Sequence, residues 1–270
     1  MQRDTGRRGS WAPATAAALA LLCAVALGAC DPAPVEQPPE RSEAAAAAPG
    51  RDVPAADRGQ AGHNTLSATE RAAGWRLLFD GETLDGWRGF RRDGAPDGWK
   101  AVDGTLARVG PGGDIITEDR FGNFELSLDW RIATGGNSGV FYLATEDTDW
   151  IFEGAPEMQV LDDAAHADGA SPLTSAGSNF ALYGAPRGVV RPAGEWNTAR
   201  VLVRDGRVEH WLNGERVVEY ELGSEDWRRR VADSKFAGWP SYGQAREGHI
   251  GLQDHGDPVW YRNIKIRPIE

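Results

Sequence analysis

The chain has 270 residues and a formal net charge of −11, from 40 acidic side chains against 29 Lys and Arg. An acidic surface with only three Lys argues against nucleic acid and against anionic lipid headgroups as binding partners. Both Cys residues, Cys23 and Cys30, lie within the first thirty positions, so disulfides and Cys-ligated zinc are excluded from the rest of the chain.

Residues 1–29 have the pattern of a bacterial export signal. Three Arg side chains precede an apolar stretch over residues 16–27, which is too short and too Ala-rich for a stable membrane span. The stretch ends in Leu-Gly-Ala before Cys30, which resembles the lipobox in which the Cys becomes acylated. We therefore predict lipidation at Cys30 and a protein exported to, and anchored in, the bacterial cell envelope. An ordinary signal peptide with an incidental Cys is the alternative.

The segment that follows, residues 30–64, is rich in Pro, Ala, Glu and Gly and has almost no large apolar side chain. Such a composition cannot bury enough surface to offset the entropy of ordering, which predicts a disordered tether. One folded domain is then expected over residues 65–270.

The folded part is predicted to be all-β. Short runs rich in Trp, Phe, Val, Ile and Leu are separated every ten residues or so by Gly, Asp or Asn, a spacing typical of a sandwich or barrel. Asp205-Gly206 and Asn213-Gly214 each predict a tight hairpin turn. Ser67 and Glu70 form a capping box for a short helix over 67–73, and a second helix is expected over 224–236.

Ten Trp residues follow Cys30. Most Trp side chains in a β fold belong to the core, but an accessible Trp can also stack on the apolar face of a sugar ring. Composition alone does not separate the two uses.

The densest group of polar side chains on a strand lies at residues 156–162 (PEMQVLD). Alternation places Glu157 and Gln159 on one face, where they are either a solvated edge or a proton-transfer group with its hydrogen-bonding partner. β-Sandwich glycosidases that form a covalent intermediate need two carboxylates, and this face supplies one. The sequence therefore disfavours double displacement from this strand.

A second polar cluster places His255 in a turn between Asp254 and Asp257. The two carboxylates are expected to raise the pKa of His255 and keep it available as an acid. The same cluster leaves open a divalent metal, although nothing fixes a third ligand, and we assign no metal-binding residue and no certain cofactor.

Several segments in order resemble the 3-keto-disaccharide hydrolase domain family, and the resemblance covers residues 74–269. They are LFDG at 78–81 with Gly86-Trp87, GNSG at 136–139, PEMQVLD at 156–162, GEWN at 194–197, HWLNG at 210–214, SKF at 234–236, and GHIGLQDHG at 248–256 with RNI at 262–264. The resemblance implies a concanavalin-like jelly-roll sandwich of two curved antiparallel sheets.

The resemblance also implies a substrate whose glucosyl ring carries a ketone at C3. That ketone acidifies the C2 proton, so a base can remove it, the glycosidic oxygen can leave C1, and water can add to the enone. We assign proton transfer to Glu157 and its orientation to Gln159, and His255 is either the second acid or base or the group that polarises the ketone. We assign substrate binding to five further side chains: Asn137, Asp162, Arg262, Tyr183 and His210. The alternative is a lectin-like carbohydrate-binding module without catalysis, and the two hypotheses differ in whether Glu157 and His255 meet in one pocket.

Overall fold

A computed structural model describes residues 62–270; the predicted export signal, Cys30 and most of the predicted tether lie outside the described residues. Helix α1 spans Ala68–Ala72 and begins with the predicted capping box of Ser67 and Glu70. Asn64, at the end of the predicted tether, is buried against the domain and exchanges two hydrogen bonds with Asn263. Within the described range no helix is long and apolar enough to cross a membrane.

Thirteen strands form two antiparallel sheets, which confirms the predicted concanavalin-like sandwich. In chain order they are β1 (Arg76–Leu77), β2 (Trp87–Gly89), β3 (Trp99–Val102), β4 (Thr105–Arg108), β5 (Ile115–Thr117), β6 (Phe124–Ile132), β7 (Asn137–Ala144), β8 (Glu157–Leu161), β9 (Asn197–Arg204), β10 (Arg207–Leu212), β11 (Glu215–Glu221), β12 (His249–Leu252) and β13 (Val259–Pro268). The larger sheet has the order β11-β10-β9-β6-β13-β4-β3, with β1 on β13; the smaller has the order β2-β5-β12-β7-β8.

The core lies between the sheets because each central strand alternates apolar and polar side chains. In β6, for example, Leu126, Leu128 and Trp130 are buried in the core, and the side chains between them face outward. Both predicted hairpins are confirmed: Asp205-Gly206 and Asn213-Gly214 have positive φ at both turn residues, as a type I′ turn requires. Helix α2 (Glu225–Ala232) and a 3₁₀ turn (Lys235–Gly238) occupy the region of the second predicted helix.

The outer face of the smaller sheet is covered by loops instead of being open to solvent. Strand β8 is an edge of this sheet, but residues 177–180 run beside it, and Phe180 N–H donates to the Glu157 carbonyl at 3.1 Å. A second apolar cluster packs on this outer face: Ile116, Phe141, Ala144, Ile151 and Ala155. The face that carries Glu157 and Gln159 therefore forms the floor of a covered site.

Candidate active site

Glu157 lies on the floor of a pocket of about 180 Å³ on the outer face of the smaller sheet. The lining residues come from three strands or their ends and from the loops over the sheet: Asn137, Phe152, Glu157, Gln159, Asp168, Phe180, Lys235, Gln253 and His255. Glu157 and Gln159 are only 6% and 1% exposed, so the pair is not a solvated strand edge. Four of the predicted site residues, Asn137, Glu157, Gln159 and His255, meet in this pocket.

The Glu157 side chain crosses from β8 onto β7 at Gly139. A methyl group at Gly139 would lie 2.0 Å from Glu157 Oε1 and 2.7 Å from its carboxyl carbon. The carboxyl group thus occupies the space that any larger residue at position 139 would fill. Glycine is therefore required at position 139 for lack of a side chain. Its backbone freedom is not used, because the φ angle of Gly139 is not in the left-handed region.

Burial raises the pKa of the Glu157 carboxyl from its ordinary value of 4.5 to about 8. The charge of Lys235 and a hydrogen bond from the Gln253 side chain act in the opposite direction, whereas Asp114 and Asp168 raise the pKa further. A carboxyl group that exchanges its proton near pH 8 is far better matched to proton transfer at neutral pH than an ordinary Glu.

Lys235 brings a positive charge to the same pocket from the first residue of the 3₁₀ turn, which Ser234 caps. Much of the side chain is exposed, but its ammonium group lies 4.1 Å from the centre of the Phe180 ring. Partial desolvation lowers the pKa of Lys235, and the nearby charges of Glu157 and Asp168 raise it. The pocket therefore holds a cation beside a carboxyl group that burial keeps protonated to a higher pH.

Three amide side chains supply hydrogen-bonding groups to the pocket. Gln159 Nε2 donates to the Thr174 carbonyl at 3.1 Å, and Gln253 is held through its backbone N–H, which donates to the Gly139 carbonyl at 3.0 Å. Within the described residues, the side-chain oxygens of Asn137, Gln159 and Gln253 are buried without a hydrogen-bond donor. Buried acceptors without donors are costly, and hydroxyl groups of a bound sugar would satisfy them.

His255 lines the mouth of the pocket and is exposed, with its ring packed edge-to-face against His166 at 6.3 Å. Asp254 and Asp257, which were expected to act on His255, have other hydrogen-bonding partners. Asp254 accepts from Arg108 Nε at 2.6 Å and from the N–H groups of two glycines, and Asp257 accepts from the Asn137 N–H at 3.1 Å. Asp254 and Asp257 thus brace the loop and strand that form the pocket.

Asp162 and His210, both predicted to bind substrate, are buried structural residues. Asp162 accepts from the N–H groups of Gly135 and Ala164, at 2.8 and 3.2 Å, and so closes the turn before β7. His210 is 0% exposed in the core, where it hydrogen-bonds to the Tyr142 hydroxyl at 2.7 Å. Burial lowers the pKa of His210 to about 4, so it is neutral there.

Tyr183 and Arg262, the other two predicted substrate-binding residues, also lie outside the pocket. Tyr183 stacks on Tyr220 with ring centres 4.7 Å apart and donates to Asp226 at 2.9 Å. Arg262 belongs to the larger sheet, where its guanidinium lies 3.9 Å from the Trp196 ring. The residue types of Tyr183 and Arg262 suggested sugar binding. In the fold, both side chains already have protein partners.

A wider cleft of about 530 Å³ adjoins the pocket and shares Phe152, Gln253 and His255 with it. Trp150 and Asp114 also line this cleft. Burial raises the pKa of Asp114 to about 6, while its carboxylate accepts from the Asp254 N–H at 2.8 Å. In residues 62–270, no three His, Cys, Asp or Glu side chains are grouped closely enough to bind a metal ion.

The chain is similar to known proteins over most of the described range. Residues 74–267 match the model of the 3-keto-alpha-glucoside-1,2-lyase-like domain. A 3-keto-disaccharide hydrolase of Bacteroides thetaiotaomicron is 39% identical over 187 residues, which are 61% of this chain and 64% of that relative. The chain thus spans less than two thirds of the length of this curated relative.

Two crystal structures from Parabacteroides distasonis, both of candidate glycosyl hydrolases, resemble the fold. The first is 37% identical, with a TM-score of 0.73, and the match covers 77% of this chain and 100% of that one. The second is 31% identical, with a TM-score of 0.60, and the match covers 72% and 99% of the two chains.

Proposed function

The chain belongs to the family of 3-keto-alpha-glucoside-1,2-lyase-like domains, and on this premise we propose that it cleaves the glycosidic bond of 3-keto-glucosides, including 3-keto-disaccharides. The reaction is an elimination followed by hydration. A base takes the C2 proton, the C1–O bond breaks as a C1=C2 double bond forms, and the C3 ketone conjugates with it. Water then adds its hydroxyl at C1 and a proton at C2, so that the net change is hydrolysis.

The observation that carries this proposal is the buried Glu157 carboxyl at the pocket floor, with its pKa raised to about 8. In its ionised form, this carboxylate is a stronger base than an exposed one, and it takes the C2 proton. The same group can return a proton to C2 when water adds at C1. One proton-transfer group therefore serves both halves of the reaction.

The remaining pocket residues match the other needs of an elimination. The ammonium group of Lys235 stabilises the enolate oxygen that develops at C3. His255, at the mouth, donates a proton or hydrogen bond to the leaving oxygen. The unpaired oxygens of Asn137 and Gln159 accept from the sugar hydroxyls and fix the ring above Glu157.

A lectin-like module is the competing function, and the electrostatics of the pocket favour the enzyme. A site that only binds a neutral sugar gains nothing from a desolvated carboxyl beside a Lys, and both groups carry a cost in stability. That Glu157 and His255 line one pocket further supports the catalytic hypothesis.

The pH dependence of turnover tests this proposal. With methyl 3-keto-glucoside as substrate, kcat/KM is expected to rise with pH and to level off above about 8, because Glu157 must lose its proton to act as the base. At more alkaline pH it falls again as Lys235 loses its charge, since burial lowers the pKa of that ammonium. Absence of turnover would refute the proposed function, and a rate that falls through pH 8 would assign Glu157 as the acid instead.

A further inference from the structure

An aromatic shelf, formed by Trp150 and Phe152, lies beside the Glu157 pocket in the wider cleft. The two rings stack with centres 6.4 Å apart and an interplanar angle of 14°. Of the ten Trp side chains in residues 62–270, Trp150 is the only one that is largely exposed, at 61%. An exposed aromatic surface of this kind is typical of a binding site that a ligand covers.

The shelf is held in place before any ligand binds. The N–H groups of Asp149 and Trp150 both donate to the Glu153 carboxylate, at 3.1 and 3.2 Å. Asp149 is also paired with Arg91 at 2.7 Å, and Phe152 packs edge-to-face on Trp239 with ring centres 5.6 Å apart. Binding of a ligand here therefore loses less side-chain entropy than ordering a free, exposed Trp would.

The position of the shelf places it next to the expected location of the scissile glycosidic bond. Phe152, Gln253 and His255 line both the small pocket and the wider cleft, so they lie at the junction between the two. If the 3-keto ring occupies the pocket, the scissile oxygen lies at this junction and the leaving group extends into the cleft. The shelf then lies under the leaving group.

We propose that the Trp150–Phe152 shelf is the leaving-group subsite and that it takes a neutral sugar ring. This inference rests on the proposed function, because it identifies the leaving group of the same reaction. A sugar offers an apolar C–H face to the shelf and hydroxyl groups to its surroundings. Gln253 has a buried acceptor without a donor, and Asp114 supplies a half-buried carboxylate in the same cleft.

An anionic leaving group fits this cleft less well than a neutral one. The lining carries three carboxyl groups, Asp114, Asp149 and Asp254, against two Arg side chains, Arg91 and Arg92, so it offers no net positive charge to an anionic ligand. A purely aromatic leaving group would stack on the shelf but would leave the Gln253 oxygen without a donor. These two observations favour a hydroxylated neutral ring.

Substrate comparison with Trp150→Ala tests the subsite. We measure kcat/KM for a 3-keto-disaccharide with a second glucose, for 4-nitrophenyl 3-keto-glucoside and for methyl 3-keto-glucoside. The substitution is expected to lower kcat/KM for the disaccharide about tenfold more than for the methyl glycoside, since only the former covers the shelf. Trp150→Phe, which keeps a ring, should recover part of this difference.

Trp211→Ala is the matched control, because Trp211 lies on the larger sheet under Arg200 and should affect the three substrates equally. Equal losses on all substrates in Trp150→Ala would overturn the subsite. A selective loss on the nitrophenyl glycoside alone would overturn the sugar as its occupant. If the wild-type protein turns over none of the substrates, the proposed function fails, and calorimetric titration with the unoxidised disaccharide decides the shelf alone. Binding that depends on Trp150 supports a sugar site, and binding that is absent or unchanged in the variant overturns it.

Discussion

Replacing Glu157 with Gln is expected to lower kcat for a 3-keto-glucoside by about 10²–10⁴-fold, the usual contribution of a positioned acid or base. Gln has nearly the same shape, so it can lie over Gly139 as Glu157 does, but it cannot take the C2 proton. Steady-state kinetics at pH 8 measure the effect. Full activity in Glu157→Gln would contradict the role of this side chain.

The same substitution should not weaken the fold, and its effect on stability has a predictable sign. The pKa of Glu157 is about 8 in the folded protein against an ordinary value of 4.5, so the folded state keeps the proton to a higher pH. The wild-type free energy of unfolding therefore falls as pH rises from about 4.5 to 8, and Gln has no proton to lose.

At pH 9 we thus expect Glu157→Gln to melt at a higher temperature than the wild type, as calorimetry can measure. Glu209→Gln is the matched control, since Glu209 pairs with Arg207 and Arg216 on the larger sheet and should keep its activity. A variant that melts lower than the wild type at both pH 6 and pH 9 would show that its lost activity reflects damage to the fold.

Replacing Lys235 with Met is expected to lower kcat by about 10²–10³-fold, the effect of removing one donor to a developing oxyanion. It should also move the acidic limb of the pH profile to higher pH. The reason is that the charge of Lys235 lowers the pKa of Glu157, so the carboxyl holds its proton more tightly without it.

Lys100→Met is the matched control, because Lys100 is an exposed residue of β3 that pairs with Asp97, and it should retain both rate and profile. The position of the acidic limb of the pH profile distinguishes a direct role of Lys235 in the pocket from a structural one. A loss of rate with an unmoved limb would mean that Lys235 does not act on the Glu157 pocket.

The fold was largely predictable from the sequence because its determinants are local. Turn dipeptides such as Asn213-Gly214 set hairpin geometry, and alternating apolar residues assign one face of each strand to the core. The pairing of Glu157 with Gln159 followed from the same alternation. The burial of Glu157 and Gln159 could not be predicted from this alternation. It depends on residues 177–180, which cover the edge of β8 and lie about twenty positions further along the chain.

The pocket partners that sequence reasoning missed come from loops. Lys235, Asp168, Phe180 and Gln253 reach the pocket from segments that only the tertiary structure brings together. Lys235 offered one usable signal, since it is one of only three Lys in an acidic chain. Gln253 offered another, as the polar residue that directly follows β12 and lies two positions before His255.

The predicted site residues that lie outside the pocket are already bonded within the fold. His210 and Arg262 are residue types that often bind sugars, but each already has protein partners, His210 in the core and Arg262 against Trp196 and Asp129. A polar residue whose bonds are satisfied within the fold has little left to offer a ligand. Conversely, the reason for Gly at position 139 could not be predicted, because its close approach to the Glu157 carboxyl depends on the cross-strand register of β7 and β8.

Turnover of a 3-keto-glucoside in D₂O tests the central claim, C2 proton abstraction, most directly. The pocket contains a second carboxylate, Asp168, so direct displacement at C1 is the competing route. Mass spectrometry of the 3-keto-glucose released at early times, with preformed product as the control for exchange, reports the hydrogen at C2. Elimination and hydration predict solvent deuterium at C2 of the product, to the extent that the proton on Glu157 exchanges with solvent before it returns, and a primary isotope effect on kcat/KM for a substrate that carries deuterium at C2. Product with no deuterium at C2 beyond the exchange control, formed without an isotope effect on the C2-deuterated substrate, would contradict elimination.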